Sequence, residues 1–180
     1  MAEQRLSNQQ VLVLLKEALA AMEVKNYNWF KLRAYQNTIS VLDNLTISIY
    51  DIWEDGRLDN IPGIGQGLIA HLDELFKRGN VVEWEILKKD LPQGMFALLG
   101  LRGIGAKKAF KLAKAFKIED RSTALEEIKA HAEKNEIRSL EGFGEKSEKG
   151  ILEAVNDQKK TKNEKQRMIL LYDKFGQGSK

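Results

Sequence analysis

Apolar residues recur every three or four positions along most of the chain, which predicts helices separated by short polar or glycine-containing turns. The first run begins after Ser7 or Asn8, either of which is a suitable helix cap. Further helical runs cover 28–45, 47–58, 66–80, 81–100 with a break at Pro92, 106–118, 122–135 and 145–160. No stretch alternates apolar and polar residues with a period of two, so the sequence predicts an all-α protein.

Two local details follow from the same pattern. Phe30 falls at an inward-facing position of the second helical run. Aromatics near basic residues, such as Trp29 and Phe30 here, can stack on bases, but before a helix the two are as readily a hydrophobic staple. Ser122 or Thr123, followed by Glu126, predicts a capping box at the start of a later helix.

Three short turns with the same pattern separate pairs of predicted helices. They read IPGIG at residues 61–65 (the first turn), LRGIG at 101–105 (the second turn) and LEGFG at 140–144 (the third turn). Near-constant spacing of about 40 residues indicates an internal repeat. In each turn an apolar residue stands between two glycines, and we expect Ile64, Ile104 and Phe143 to point inward and hold the turn against its helices.

The turns have the properties of a phosphate site. Glycine tolerates positive φ and a close backbone neighbour, and the N–H groups that begin the next helix have no partner within it. With the positive end of the helix dipole they can hold a phosphate oxygen. This helix-hairpin-helix arrangement predicts binding to the DNA backbone without base reading. The predicted contact residues are Gly63, Gly65, Gln66, Gly67, Gly103, Gly105, Ala106, Lys107, Lys108, Lys111, Gly142, Gly144 and Lys146.

The second turn has additional support from charge. Residues 101–118 contain six basic residues and no acidic one, and the lysines share one side of the predicted helix. A uniformly basic face repels itself unless an anion meets it. The first and third turns carry mixed charges, so we expect the second turn to dominate affinity. A helix connection alone, or a solvated lysine face, is the alternative explanation of these features.

Composition narrows the function further. The net charge of the whole chain is only +3, so the local distribution of charge matters more than the total. The absence of cysteine and the separation of the two histidines exclude a disulfide scaffold and make a zinc site unexpected. No apolar run reaches the length of about 20 residues needed for a membrane span. We therefore expect a monomeric cytoplasmic protein, associated with the nucleoid, that needs no cofactor and has no membrane partner.

The ordered set of motifs resembles the N-terminal part of family X DNA polymerases, the relatives of DNA polymerase beta, in bacterial or archaeal form. The motifs are NYNWFKLRAYQNTISVLDNL, GRLDNIPGIGQGLIAHLDELFKRG, GMFALLGLRGIGAKKAFKL and EIRSLEGFGEKSEKGILEAV. The resemblance implies a DNA-end-binding domain of four helices at 8–79, a connecting helix at 80–90, a second helix-hairpin-helix domain at 91–158, and a charged linker and tail at 159–180.

The resemblance also implies where the family's chemistry would lie. Polymerase activity requires a palm domain, which these residues do not contain, so it is not expected of them. The family's deoxyribose-phosphate lyase uses a lysine at the position of His71, whose imidazole cannot form a stable imine. Lys31 and Tyr35 match the family's 5′-phosphate pocket. The family's hairpins can hold Na⁺ or K⁺ on backbone carbonyls, which here would be those of Ile61, Ile64, Leu101 and Ile104.

The sequence therefore predicts a sequence-independent DNA-binding protein that acts at gapped or ended duplex in DNA repair, such as base excision repair, or in synthesis. Two alternatives remain open at this point. The chain could be a residual abasic-site lyase that uses Lys31 or Lys77, or a helical protein-interaction module that binds no nucleic acid.

Overall fold

The computed structural model describes residues 5–175, with side chains through residue 170, and every regular element in that range is helical. The predicted all-α class is confirmed. The chain divides after Leu91 into two compact units. None of the helices in the described range combines the length and apolar character that a bilayer crossing needs.

Unit one contains five α-helices among its described residues. They are α1 (Asn8–Val24), α2 (Trp29–Asp43), α3 (Ile49–Glu54), α4 (Gln66–Arg78) and α5 (Val82–Lys88), with a short 3-10 helix at Leu58–Asn60 before α4. The core forms where α1 packs on α2 and α5, and the buried face of α4 closes it with Leu72, Leu75 and Phe76.

The start of α1 follows from local chemistry. The Ser7 hydroxyl accepts the N–H of Gln10, and the Gln10 side chain accepts the N–H of Ser7 in return. This reciprocal capping satisfies two N–H groups that the helix itself cannot, and it confirms the predicted start at Ser7. Helix α4 ends at Arg78, within the predicted run 66–80, because Gly79 follows it in a left-handed conformation with φ of 81°.

The first turn of α2 differs from the prediction. Phe30 is 77% exposed, so the inward position predicted for it is wrong, and with Trp29 62% exposed the predicted hydrophobic staple is wrong too. Asn28 caps α2 with its side chain, which accepts the N–H of Lys31. The first fully buried residue of the helix is Tyr35 instead, while Lys31, Leu32 and Ala34 are partly buried.

Unit two consists of α6 (Gly94–Leu98), α7 (Ala106–Ala115), α8 (Ala124–Glu133), a 3-10 helix at Ile137–Ser139 and α9 (Glu145–Phe175). Helix α6 packs on α7 and α8, and α8 packs on α9. Gly94 is held within this core, because an added Cβ would lie 2.4 Å from the Ile118 carbonyl oxygen.

Two predictions for unit two are wrong. The capping box at Ser122 or Thr123 is absent, because the Asp120 carboxylate accepts both the N–H and the hydroxyl of Ser122, and Glu126 pairs with Lys159 of α9. The charged linker predicted from residue 159 is helical through Phe175. Residues 151–175 contain no glycine or proline and many good helix formers, so nothing stops the helix there. Residues 176–180 of the predicted tail lie outside the described range.

Candidate nucleic-acid interface

All three turns have the same backbone geometry. The glycine before the apolar residue has positive φ in each case, 90° at Gly63, 82° at Gly103 and 83° at Gly142. A residue with a side chain would be strained in this conformation. The intervening apolar residues are at most 9% exposed, so the predicted inward position of Ile64, Ile104 and Phe143 is confirmed.

The second glycine of each turn leaves the start of the next helix open. Gly65 and Gly105 are the N-caps of α4 and α7, and neither helix receives a hydrogen bond from a capping side chain. An added Cβ at Gly65, Gly105 or Gly144 would meet no other atom within 4 Å. Packing inside the protein therefore does not require glycine at these positions. Close approach by an external group would require it, because a side chain would stand in the way.

The predicted contact residues next to these glycines differ in exposure and in the groups they can offer to a partner. Gly67 is exposed in the first turn of α4, and the Gln66 amide donates to Asp59 Oδ1 at 2.8 Å. Ala106 is buried, so it can offer a partner only its backbone N–H.

The charges at the start of α7, the helix after the second turn, oppose the helix dipole. The first turn of α7 carries exposed Lys107 and Lys108 and no acidic residue. Cations near a helix N-terminus oppose the helix dipole, whereas an anion is stabilised there. A bound phosphate would remove this conflict, which supports the prediction that the second turn contributes most to affinity.

Lys111 connects α7 to the third turn. Its ammonium donates to the backbone carbonyl of Glu141 and lies 3.5 Å from the Glu141 carboxylate. Lys108 lies 6.0 Å from the ring centre of Phe143, the apolar residue of that turn. The lysines of α7 thus hold two turns of unit two together, a role that no local sequence pattern revealed.

The acidic residues at the start of α9, directly after the third turn, pair with basic groups of the protein. Glu148 is 2% exposed, and its carboxylate accepts the backbone N–H of Arg138 at 2.9 Å and the guanidinium Nε at 2.7 Å. Burial raises the pKa of Glu148, but these hydrogen bonds outweigh burial and the net pKa is lowered. Glu145 pairs with Lys149 at 2.9 Å, while Lys146 is exposed.

The region of the first turn remains mixed in charge. Asp59 is one acidic residue of this region, and Asp73 is another. Asp73 accepts hydrogen bonds from the Lys77 ammonium and from the indole N–H of Trp53. These bonds, that of Lys77 first, lower the pKa of Asp73. Carboxylates held in the charged form weaken the positive potential that a phosphate would meet at this turn.

The proposed phosphate pocket of unit one contains a carboxylate that the sequence did not reveal. Lys31 Nζ lies 2.5 Å from Glu83 Oε1, and His71 Nε2 lies 3.3 Å from Glu83 Oε2. The hydrogen bond from Lys31 is the main reason that the pKa of Glu83 is lowered. Lys31, the cation predicted to contact a phosphate here, is therefore already paired with a carboxylate.

Tyr35 lies in the core beside this cluster. It is 1% exposed, and its hydroxyl accepts the indole N–H of Trp84 at 2.8 Å. Burial raises the pKa of Tyr35 to about 12. A direct phosphate contact by Tyr35 does not fit this position, because the side chain supports α5 from within.

The backbone carbonyls predicted to hold a monovalent cation contribute to the turns themselves. The carbonyl of Leu101 accepts the N–H of Ile104 at 3.1 Å, and that of Ile61 accepts the N–H of Ile64 at 3.5 Å. A carbonyl has a second lone pair, so Na⁺ or K⁺ at Ile61, Ile64, Leu101 and Ile104 stays a prediction.

Comparison with known proteins agrees with this geometry. Residues 6–81 match the family described as helix-hairpin-helix domain, and residues 96–157 match the family described as SAM-like helix-hairpin-helix tandem. The chain is therefore built of helix-hairpin-helix domains, one match falling in each unit. The first match contains the first turn, and the second match contains the other two.

A curated relative matches the chain across both units. The DNA polymerase/3'-5' exonuclease PolX of Bacillus subtilis (strain 168) is 31% identical over 147 residues, which make up 82% of this chain and 25% of the relative. The predicted resemblance to the N-terminal region of a family X DNA polymerase is confirmed. The chain spans about a quarter of the length of this curated relative.

Proposed function

We propose that this chain binds DNA through the sugar–phosphate backbone, without sequence preference, at gapped or ended duplex during DNA repair or synthesis. The observation that carries the proposal is the repeated turn. Each copy joins a positive-φ glycine, a buried apolar residue and a second glycine that faces open space before a helix. Such N-termini suit phosphate oxygens.

The chemistry of the turns explains why binding should ignore sequence. Backbone N–H groups and lysines contact phosphates, and phosphate contacts position a protein on DNA without reading bases. The relative's name describes a polymerase and exonuclease that act on DNA, which supports DNA as the partner of this chain. In this proposal the chain binds as a monomer, in the compartment that contains the DNA.

Salt dependence provides the test. If the turns and lysines engage roughly 4–6 phosphates, log K against log salt should fall with a slope of about −4 to −5 on duplex DNA. Scrambled duplexes of equal length should bind equally well. A slope near zero, or strong preference for one sequence, would contradict the proposal.

The preference for gaps or ends needs a separate comparison. An intact closed duplex, a gapped duplex and a blunt-ended duplex of equal total charge should be titrated at one salt concentration. The proposal expects the gapped and ended substrates to bind more tightly than the closed duplex. Equal binding to all three would restrict the function to general duplex binding.

A further inference from the structure

Helix α9 continues far beyond the core of unit two. Its last buried residue is Val155, and residues 161–170 are all exposed. Residues 158–170, which we call the α9 extension, contain one acidic residue, Glu164. Their basic residues are Lys159, Lys160, Lys162, Lys165 and Arg167. Residues 160–167 of the extension therefore form a basic, exposed stretch of helix, and the exposed apolar residues Met168, Ile169 and Leu170 follow it.

The α9 extension forms one wall of a large groove within unit two. The groove has a volume of about 1220 Å³, and its opposite wall contains Arg102 and Gly103 of the second turn together with the start of α8. Lys162 and Lys165 line the same groove. Three cations of the extension, those of Lys159, Lys162 and Lys165, therefore share one open space with a turn already proposed to contact DNA.

A glycine in the second turn of α9 keeps the groove open. Gly150 is exposed, lines the groove, and has no atom within 4 Å of the position that a Cβ would take. Glycine destabilises a helix interior relative to alanine, and neither packing nor backbone conformation requires it at this position. Close approach by an external group is a physical reason for it.

We propose that this groove binds the backbone of one DNA strand, with phosphates at Arg102, Lys162 and Lys165. Gly103 and Gly150 leave the room that the strand needs. Three carboxylates of the described residues also line the groove. Glu126 pairs with Lys159 at 2.7 Å, whereas Glu153 and Asp157 repel phosphate and confine its contacts to Lys162, Lys165 and the second turn. This inference rests on the proposed DNA binding and adds a contact surface beyond the three turns.

Removing the charges of Lys162 and Lys165 tests whether these lysines contact phosphate. The double variant Lys162→Gln/Lys165→Gln should lower the magnitude of the salt slope by about 2 and weaken duplex binding by about tenfold or more at moderate salt. The matched control is Lys129→Gln/Lys134→Gln, which removes the same charge from α8 and its C-cap residue, outside the lining of the groove. Equal losses in both variants would show a general charge effect and overturn the inference.

Gly150→Ala separates a binding role from a structural one. The added methyl group should raise the melting temperature, because alanine favours the helix, and it should weaken DNA binding by occupying the groove. Gly150→Leu should weaken binding further. Ala130→Leu, at an exposed position of α8, should leave the DNA affinity unchanged. Unchanged affinity in both Gly150 variants, with the helix retained by circular dichroism, would overturn the inference.

The outcomes distinguish this inference from the proposed function. If the unaltered chain shows no salt-dependent DNA binding, the proposed function fails. If it binds, and Lys107→Gln weakens binding while the Lys162, Lys165 and Gly150 variants do not, the function stands and only the groove is rejected. Tighter binding by Glu153→Gln/Asp157→Asn would add support, since it removes the two repelling carboxylates.

Discussion

Tyr35 and Trp84 form a buried polar pair at the centre of unit one. Tyr35→Phe would leave the indole N–H without its acceptor, so we expect the free energy of unfolding to fall by about 1–3 kcal/mol. DNA affinity should not change, because the hydroxyl is inaccessible. Denaturant unfolding and a DNA titration measure the two effects. Loss of affinity with stability retained would restore the contact predicted from sequence, and Tyr27→Phe is the exposed control.

Glu148 should make unit two sensitive to acid. Its pKa is lowered in the folded protein from the ordinary value of 4.5, so its stabilising effect is present above pH 4.5 and is lost as pH falls through the folded value. Glu148→Gln should reduce stability by about 1–3 kcal/mol near neutral pH, because a neutral amide replaces a buried acceptor of Arg138.

The measurement is the melting temperature of both proteins between neutral pH and about pH 3. We expect the difference between them to shrink as the carboxylate of the unaltered chain becomes protonated. Glu145→Gln serves as the control, since its pair with Lys149 is exposed and such pairs contribute little. A difference that stays constant with pH would show that packing, rather than charge, makes Glu148 important.

At the scale of elements, α7 is predicted to contribute more to DNA affinity than the start of α9. Lys107→Gln/Lys108→Gln should weaken duplex binding several-fold more than Lys146→Gln/Lys149→Gln, because Lys149 already pairs with Glu145. Lys111 is left intact, since its replacement would also release the carbonyl of Glu141 in the third turn. Titrations at one salt concentration, with helicity checked, decide the ranking, and equal losses would contradict it.

The elements themselves were largely predictable because their signals are local. Ser7 and Gln10 cap α1, Gly79 ends α4, and the glycines of the turns require a conformation that other residues avoid. Helical periodicity similarly identified the buried side of α7, where Ala109, Leu112 and Ala113 are fully buried.

Tertiary neighbours explain what the sequence could not predict. Phe30 has the spacing of a core residue, yet its side chain is 77% exposed and its ring lies against that of Trp29, which is exposed as well. Glu83 lies 52 residues from Lys31, and only folding brings its carboxylate to the amine. The continuation of α9 was missed because a highly charged segment resembles a linker in composition, although its residues favour a helix.

At the scale of the whole molecule, the remaining question is whether the chain also has abasic-site lyase chemistry. A lyase lysine must present an unprotonated amine to an aldehyde. Lys31 is paired with Glu83 and Lys77 with Asp73, so in both cases the amine is engaged by a carboxylate and is not free to reach an aldehyde. We therefore expect borohydride to trap little covalent complex between the unaltered chain and abasic-site DNA. A good yield would contradict this, and mass spectrometry of the adduct would identify the lysine.

His71→Lys places an amine at the family's lyase position, and the structure changes what this variant should do. Glu83 Oε2 lies 3.3 Å from the imidazole, so the same carboxylate would hold the new amine protonated and unreactive. The double variant His71→Lys/Glu83→Gln removes that charge, while Lys31 and partial burial favour the neutral amine. We expect trapping to be weak in the single variant and several-fold stronger in the double variant, with Glu83→Gln alone as the control. If the folded double variant binds gapped DNA and still traps nothing, the geometry of the inherited pocket is lost, and the role of Lys31 as a phosphate contact should be abandoned.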